Sequence, residues 1–525
     1  MQREVLAFLS SPETYGPQAM PVERIDTHIS IVWLVGDRAY KLKRAVKFDY
    51  VDFSTTELRR VACEAEIRLN RRTAPSLYLG VRPITRASDG TLALGGTGEP
   101  IDWVVEMKRF DQETLFDRLA DRGRLDIKLM EALGSTIAAL HADARIRTDQ
   151  GGRAGMTWVA DGNAIDLLDY GANVLEPASC SVLAAGTRQA LCRHASRLDS
   201  RCRGGMVREC HGDLHLRNIC LVDGRPTIFD GVEFNDRISC VDVLYDLAFL
   251  LMDLWRRDLR AHANAVFNEY IRLTTDVDAL CLLPLFLSCR AAVRAKTSVM
   301  SASMQSDAGR RSDLEDAAKR YLAFACEFLQ PAQARLIAIG GVSGSGKSTL
   351  AQALAPGVGA APGALLVRSD AIRKGLMGVM PSTRLNPSGY EPAVTRRVYQ
   401  TMAARAGAAL RAGHSVVADA VFARQEDRDA IAAVAREAGA PFAGFWIEAP
   451  REILARRMAE RPLDISDATI AVLDRQLAAG AGHIDWQRLD GANDAAHVLA
   501  DATAFCDRTF ANLLGAKPRS AQPHK

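Results

Sequence analysis

The period of apolar and polar positions changes along the chain. From His28 to Val35 a run of β-formers leads into a Gly36-Asp37 turn. Ala39 to Lys43 then alternates, with Ala39, Lys41 and Lys43 on one face and Tyr40 and Leu42 on the other. Residues 28–50 therefore predict two strands. Thr56 to Asn70 has helical spacing, and Leu77 to Ile84 and Asp102 to Met107 return to strand patterning. Leu125 to Ala142 is helical, and long helical stretches follow to Leu329, interrupted by a strand-rich insert at Ile219 to Val232. Strands early and helices late predict an α+β domain of two lobes.

The pattern changes near Gln330-Pro331. Leu336 to Ile339, Ala364 to Val367, Ser415 to Ala418 and Phe442 to Ile447 are continuous apolar runs separated by helical segments. Such runs suit strands buried on both faces, and their alternation with helices predicts an α/β doubly wound parallel sheet. The expected division is a first domain over 1–330, a second over 335–514 and a polar, disordered tail over 515–525.

Composition narrows the class. The chain has 525 residues, 48% of them apolar and 25% charged, with a formal net charge of +3. This is ordinary for a globular protein, and so small a net charge disfavours a nucleic-acid partner. Eleven scattered cysteines with no CxxC pair argue against a disulfide framework. Met1 to Pro12 lacks the pattern of a secretory signal, and aspartates break the apolar stretch from Val241 to Leu254, so no membrane association is expected and the cytoplasm is the expected compartment.

Two motifs carry chemistry. Gly341-Val-Ser-Gly-Ser-Gly-Lys-Ser348 fits GxxxxGK[ST], between an expected strand and an expected helix, Ser348 to Leu354. Gly341, Gly344 and Gly346 let the backbone N–H groups of Val342, Ser343, Ser345 and their neighbours through Thr349 converge on phosphate. Lys347 reaches the outer phosphates of ATP, and the Ser348 hydroxyl binds Mg²⁺. Downstream, Asp370 closes a strand expected to neighbour the loop, where it can orient or deprotonate a substrate hydroxyl or cap the next helix. Asp419 ends a third strand in the position of a Mg²⁺ partner. Arg457 and Arg461, four residues apart, can close over the phosphates as a lid, or simply form a solvated helix face.

The second motif is His211-Gly-Asp-Leu-His-Leu-Arg-Asn218, followed by Pro226-Thr-Ile-Phe-Asp230. Asp213 can take the proton of an attacking hydroxyl, Asn218 can turn back onto Mg²⁺, and Asp230 on the next strand supplies a charged metal ligand. Upstream, Lys41 or Lys43 can pair the phosphates and Glu64 or Glu66 can hold that lysine. These residues follow the order of a kinase-like fold, which the segment resembles: Val104 to Lys108 would be its hinge, presenting backbone to adenine, and Asp242 and Asp246 resemble the aspartates that brace its catalytic loop.

The C-terminal motifs, GVSGSGKST, RSDAIRK, VVADAVF with Arg428, and ARRMAER with Ser466-Asp467-Ala468, resemble the P-loop kinases grouped with gluconate, shikimate, polynucleotide 5′- and zeta-toxin kinases, an AAA-type ATP-binding domain. Residues 1–330 resemble the aminoglycoside phosphotransferase group. Taken whole, the chain is similar to a bacterial family that fuses the two; it shares Thr27 to Ser30, Tyr40 to Lys43, Asp52 to Thr55, Leu69 to Arg72 and Glu233 to Asn235 with that family. Two departures are visible: no GxGxxG lies near residues 28–36, and Gly231 follows Asp230 directly. The resemblance implies a kinase with two ATP/Mg²⁺ sites and small hydroxyl compounds as acceptors. The rival expectations are a catalytic C-terminal domain beside an N-terminal nucleotide or ligand sensor, and a nucleic-acid end-repair or toxin-like kinase.

Overall fold

The computed structural model describes residues 2–16, 21–48, 50–380, 383–460 and 469–515. They fall into two compact units: Met1–Arg257 with Leu285–Glu327, and Asp258–Pro284 with Phe328–Lys525.

The first unit opens with strands β1 (Val22–Asp26), β2 (Ser30–Val35) and β3 (Arg38–Lys43), and a short ladder of β4 (Lys47–Phe48) with β5 (Val51–Asp52). Strands β6 (Tyr78–Arg86), β7 (Leu92–Leu94) and β8 (Glu99–Lys108) complete an antiparallel sheet of order β1-β2-β3-β8-β6-β7. The β2–β3 hairpin turns through Gly36 at φ +55°, a backbone that glycine adopts without strain. Alternation then sorts the side chains. Ile31, Trp33, Leu42 and Val104 pack with Val5 and Leu9 of the first helix, while Val105 and Tyr78 pack with Cys63 and Ile67 of helix Thr56–Asn70. Lys41 is the register partner of Val105 and so faces that helix.

Helices build the rest of the unit, with two small antiparallel pairs set among them. One joins β9 (Val207–Glu209) to β12 (Cys240–Asp242), and the other joins β10 (Ile219–Val222) to β11 (Arg225–Ile228). The His211–Asn218 segment is the loop from β9 to β10. Helix Val243–Arg256 lies under it, buried from Val243 through Trp255.

In the second unit β13 (Leu336–Gly341), β14 (Leu365–Arg368), β15 (Val416–Asp419), β16 (Phe442–Glu448) and β17 (Gln487–Asp490) form a parallel sheet of order β14-β15-β13-β16-β17. Every pair in it is parallel, as the apolar runs require. One expectation changes here. The strand beside the phosphate loop is β15, ending in Asp419, and the strand leading to Asp370 lies one place further out, because local patterning does not encode strand order. The compact units also cross the expected division near residue 330: Asp258–Pro284 packs with the second. Helix Arg260–Thr274 explains why: Asn264 Nδ2 donates to the carbonyls of Pro362 and Ala364, both at 3.0 Å, and the Leu366 N–H donates to Asn268 Oδ1 at 2.6 Å. These bonds satisfy backbone groups along the edge strand β14 that would otherwise lie open.

Among the described residues no helix is long and apolar enough to cross a membrane, and none of the eleven cysteines is in a disulfide. Residues 516–525 of the expected tail lie outside the described residues.

Candidate active sites

In the first unit the face of β3 that carries Lys41 and Lys43 meets the inner face of helix Thr56–Asn70. Glu66, fully buried, takes both lysines: Lys41 Nζ is 2.9 Å from Oε1 and Lys43 Nζ is 2.7 Å from Oε2. Glu64 points the other way, exposed and 2.5 Å from Arg60. Two residues apart on a helix is about 200° of rotation, so the pair cannot share a role; of the two, Glu66 faces the lysines. Burial alone would push Glu66 up, but the two ammonium groups outweigh it and hold the carboxyl below its ordinary value. Lys41 is raised well above its ordinary value: burial opposes this, and Asp230 and Glu66 prevail.

Lys41 also reaches Asp230 Oδ1 at 2.5 Å. Asp230 has a left-handed backbone, φ +63°, rare for a residue other than glycine. Two bonds fix it: its N–H donates to the Tyr78 hydroxyl at 3.1 Å, and the next N–H, of Gly231, donates to Asn70 Oδ1 at 2.8 Å. Its carboxylate stays 44% exposed, open to a ligand. An observed outlier held this tightly is typical of a functional position.

Asp213 and Asn218 stand together across the cleft. Asn218 Nδ2 donates to the Asp213 carbonyl at 2.9 Å and to its Oδ2 at 3.1 Å, and His215 Nε2 lies 3.2 Å from the same oxygen. Burial would raise the Asp213 carboxyl, but His215 and then Arg294 hold it below the ordinary carboxylate range, so it is ionised. A cleft of about 400 Å³ joins these groups; Lys41, Lys43, Asp213, Asn218 and Asp230 all line it. Met107 to Phe110, at and just past the end of β8, also line it. Val104 and Val105, expected at the hinge, are central strand residues paired with β3.

The loop is braced from below. Asp246 accepts the N–H groups of His211 at 3.1 Å and Gly212 at 2.8 Å, as the sequence suggested. Asp242 does otherwise: it caps helix Val243–Arg256 at the Leu244 N–H and pairs with Arg201 at 2.7 and 2.8 Å. The second brace is Asp253, which accepts the Leu216 N–H at 3.2 Å. Sequence reasoning missed it, although its seven-residue offset from Asp246 places both on one helix face. His215, on Asp213, was missed as well.

In the second unit the loop Gly341–Gly346 runs from β13 into helix Lys347–Leu354. Gly341 has φ +140°, and a Cβ there would lie 2.5 Å from the Ile447 carbonyl oxygen, so the turn demands glycine. Ser348 Oγ donates to Asp419 Oδ2 at 2.6 Å, and Lys347 Nζ lies 2.9 Å from the Val342 carbonyl. Thr349 is exposed, in the first turn of helix Lys347–Leu354. Asp370 is half-buried in the first turn of helix Ser369–Leu376, whose N-cap is Arg368, so Asp370 is not the cap. The Arg457 guanidinium holds the Gly491 carbonyl at 2.6 Å. Arg461 lies outside the described residues. Arg428 is buried and ties down the carbonyls of Phe422 and His483.

Two contacts on this loop had no signal in the sequence. Arg368 Nε lies 3.3 Å from Asp419 Oδ2, across the β14–β15 register. Gln476 Oε1 accepts the Ser343 N–H at 2.8 Å, an amide that belongs to the anion cradle.

Comparison with known proteins finds a family for each part of the chain. The family described as "Phosphotransferase enzyme family" matches residues 52–281, and the family described as "AAA domain" matches residues 336–481. The uncharacterised protein Rv2004c of Mycobacterium tuberculosis is 30% identical over 482 residues, 89% of this chain and 92% of the relative. Among solved structures, a choline/ethanolamine kinase family protein from Mesorhizobium loti is 14% identical, with a TM-score of 0.37, over 62% of this chain and 99% of its own. A gluconokinase from Sinorhizobium meliloti is 25% identical, with a TM-score of 0.25, over 34% of this chain and 95% of its own. The protein is a kinase-type phosphotransferase, with a two-lobed kinase-like fold followed by a P-loop kinase fold. It belongs to the bacterial family that fuses an aminoglycoside phosphotransferase-like domain to a P-loop kinase domain.

Proposed function

We propose that the chain is an ATP-dependent phosphotransferase with two nucleotide sites, each serving a small-molecule hydroxyl acceptor. One observation carries this reading: each unit by itself gathers charged and polar groups suited to a metal and phosphate, Lys41–Glu66–Asp230 with Asp213 and Asn218 in one, and Ser348–Asp419 on a glycine cradle in the other. Bound Mg²⁺·ATP supplies the phosphoryl group and a divalent charge to spread over its oxygens.

The chain's own residues do the rest. In the first unit Asn218 and Asp230 would hold the metal, Lys41 would neutralise phosphate oxygens, and Asp213 would accept the hydroxyl proton. In the second, the amides from Val342 to Thr349 and the Lys347 ammonium would hold phosphate, Ser348 and Asp419 the metal, and Asp370 would orient the acceptor. The cytoplasm, where ATP is abundant, is the proposed compartment. A second reading, a nucleotide-sensing first unit, is favoured by the Lys41–Asp230 contact, which occupies the lysine and the carboxylate together.

Incubation with γ-labelled ATP and a library of sugars, aminoglycosides, nucleosides and oligonucleotides tests the proposal. Two classes of small acceptor should be labelled, one lost in Asp213→Asn and another in Lys347→Ala. Labelling confined to oligonucleotides would contradict it.

A further inference from the structure

The first unit uses two lysines where the pairing of phosphate needs one, and the second has a partner of its own. Lys43 is only 1% exposed and pairs with Glu233 as well as with Glu66. Glu233 is 4% exposed and lies three residues after Asp230. These groups thus form one alternating chain, Asp230–Lys41–Glu66–Lys43–Glu233, in which each carboxylate oxygen of Glu66 has its own ammonium.

We propose that Lys43 and Glu233 are a positioning pair that keeps Glu66 ionised and in place while Lys41 exchanges Asp230 for nucleotide phosphate. This rests on the reading of the first unit as a nucleotide site. A buried carboxylate left with one mobile partner becomes costly whenever that partner departs. With Lys43 fixed on Oε2, the departure of Lys41 from Asp230 leaves Glu66 paired, and Oε1 stays where it orients the Lys41 ammonium. Glu233 balances Lys43 in turn, so the second lysine adds no unpaired positive charge. Asp230, the half-exposed end of the chain, is the member free to turn to a metal.

The test uses the full chain carrying Lys347→Ala, which silences the P-loop site, with Mg²⁺·ATP and adenosine as probes in calorimetry or competition with a fluorescent nucleotide. Adenosine reports the cleft without the phosphates. Lys43→Met with Glu233→Gln removes the pair without leaving Glu233 as an unpaired buried charge. It should weaken Mg²⁺·ATP binding at least about tenfold and leave adenosine binding unchanged, and Lys43→Arg should recover part of the loss. Equal weakening of both probes would show that the pair only supports the fold of the cleft, and no weakening of either would show that it is idle; each result overturns the proposal. If the Lys347→Ala parent binds neither probe, the nucleotide reading of the first unit itself fails, and the proposal with it.

Discussion

Asp246 holds the His211-Gly212 backbone from beneath, its two carboxylate oxygens each accepting one loop N–H, at 3.1 and 2.8 Å. His141 Nε2 lies 3.1 Å from the Oδ2 that takes the His211 N–H, and burial, though it would raise this carboxyl, is outweighed so that it sits at about 2. The relation places Asp213 two residues away without Asp246 entering the cleft. Asp246→Ala would leave two buried N–H groups without acceptors, at a cost of about 3 kcal/mol. Chemical unfolding should show that loss in the first unit, with phosphoryl transfer by that unit falling further than stability alone explains. Unchanged stability would remove the bracing role.

Asp213→Asn preserves shape and removes the proton acceptor. Transfer by the first unit should fall at least ~100-fold with nucleotide affinity little changed. A single-turnover measurement with an identified acceptor checks this, and an unchanged rate would exclude Asp213 as the base.

His414 gives the second unit a pH dependence. It is buried against Phe267, ring centroids 5.1 Å apart, and burial pushes its imidazole down to about 4, a hydrogen bond to the Gly363 backbone opposing. The unfolded chain therefore binds the proton first. The contribution is complete above pH ~6.5 and is lost as pH falls from there through about 4, on the order of 3 kcal/mol in all. Thermal unfolding between pH 7 and 4 should show this slope, and His414→Gln should flatten it.

Asn268 covers the edge of β14. Asn268→Ala removes the acceptor of the Leu366 N–H and one donor to the Ala364 carbonyl, and should destabilise the second unit by about 1–2 kcal/mol. Urea unfolding checks it. A fragment over 328–525, which lacks this helix, should unfold more readily than the same unit in the full chain.

The sequence was most legible where function fixes spacing. The phosphate loop is readable because Gly341 is required by its φ and by the Ile447 carbonyl, and HGDLHLRN because Asn218 must turn back onto Asp213. The fold class followed from the change of period, since buried parallel strands must be apolar on both faces. Glu66 was separable from Glu64 in principle: it shares a helical stripe with Ala62, Cys63 and Ile67, all buried, whereas Glu64 shares its face with Arg60. Strand order, the transfer of Asp258–Pro284 to the second unit and the contacts of Arg457 and Gln476 depend on tertiary packing, which leaves no periodic trace.

Nucleotide stoichiometry tests the central claim most directly. Equilibrium binding of Mg²⁺·ATP should give two nucleotides per chain in the wild type, and one in Lys347→Ala and in Asp230→Ala. Lys347 is confined to the second unit's cradle and Asp230 to the first unit's cleft. A wild-type value of one that vanishes entirely in Lys347→Ala would contradict the account and leave the first unit without a nucleotide site.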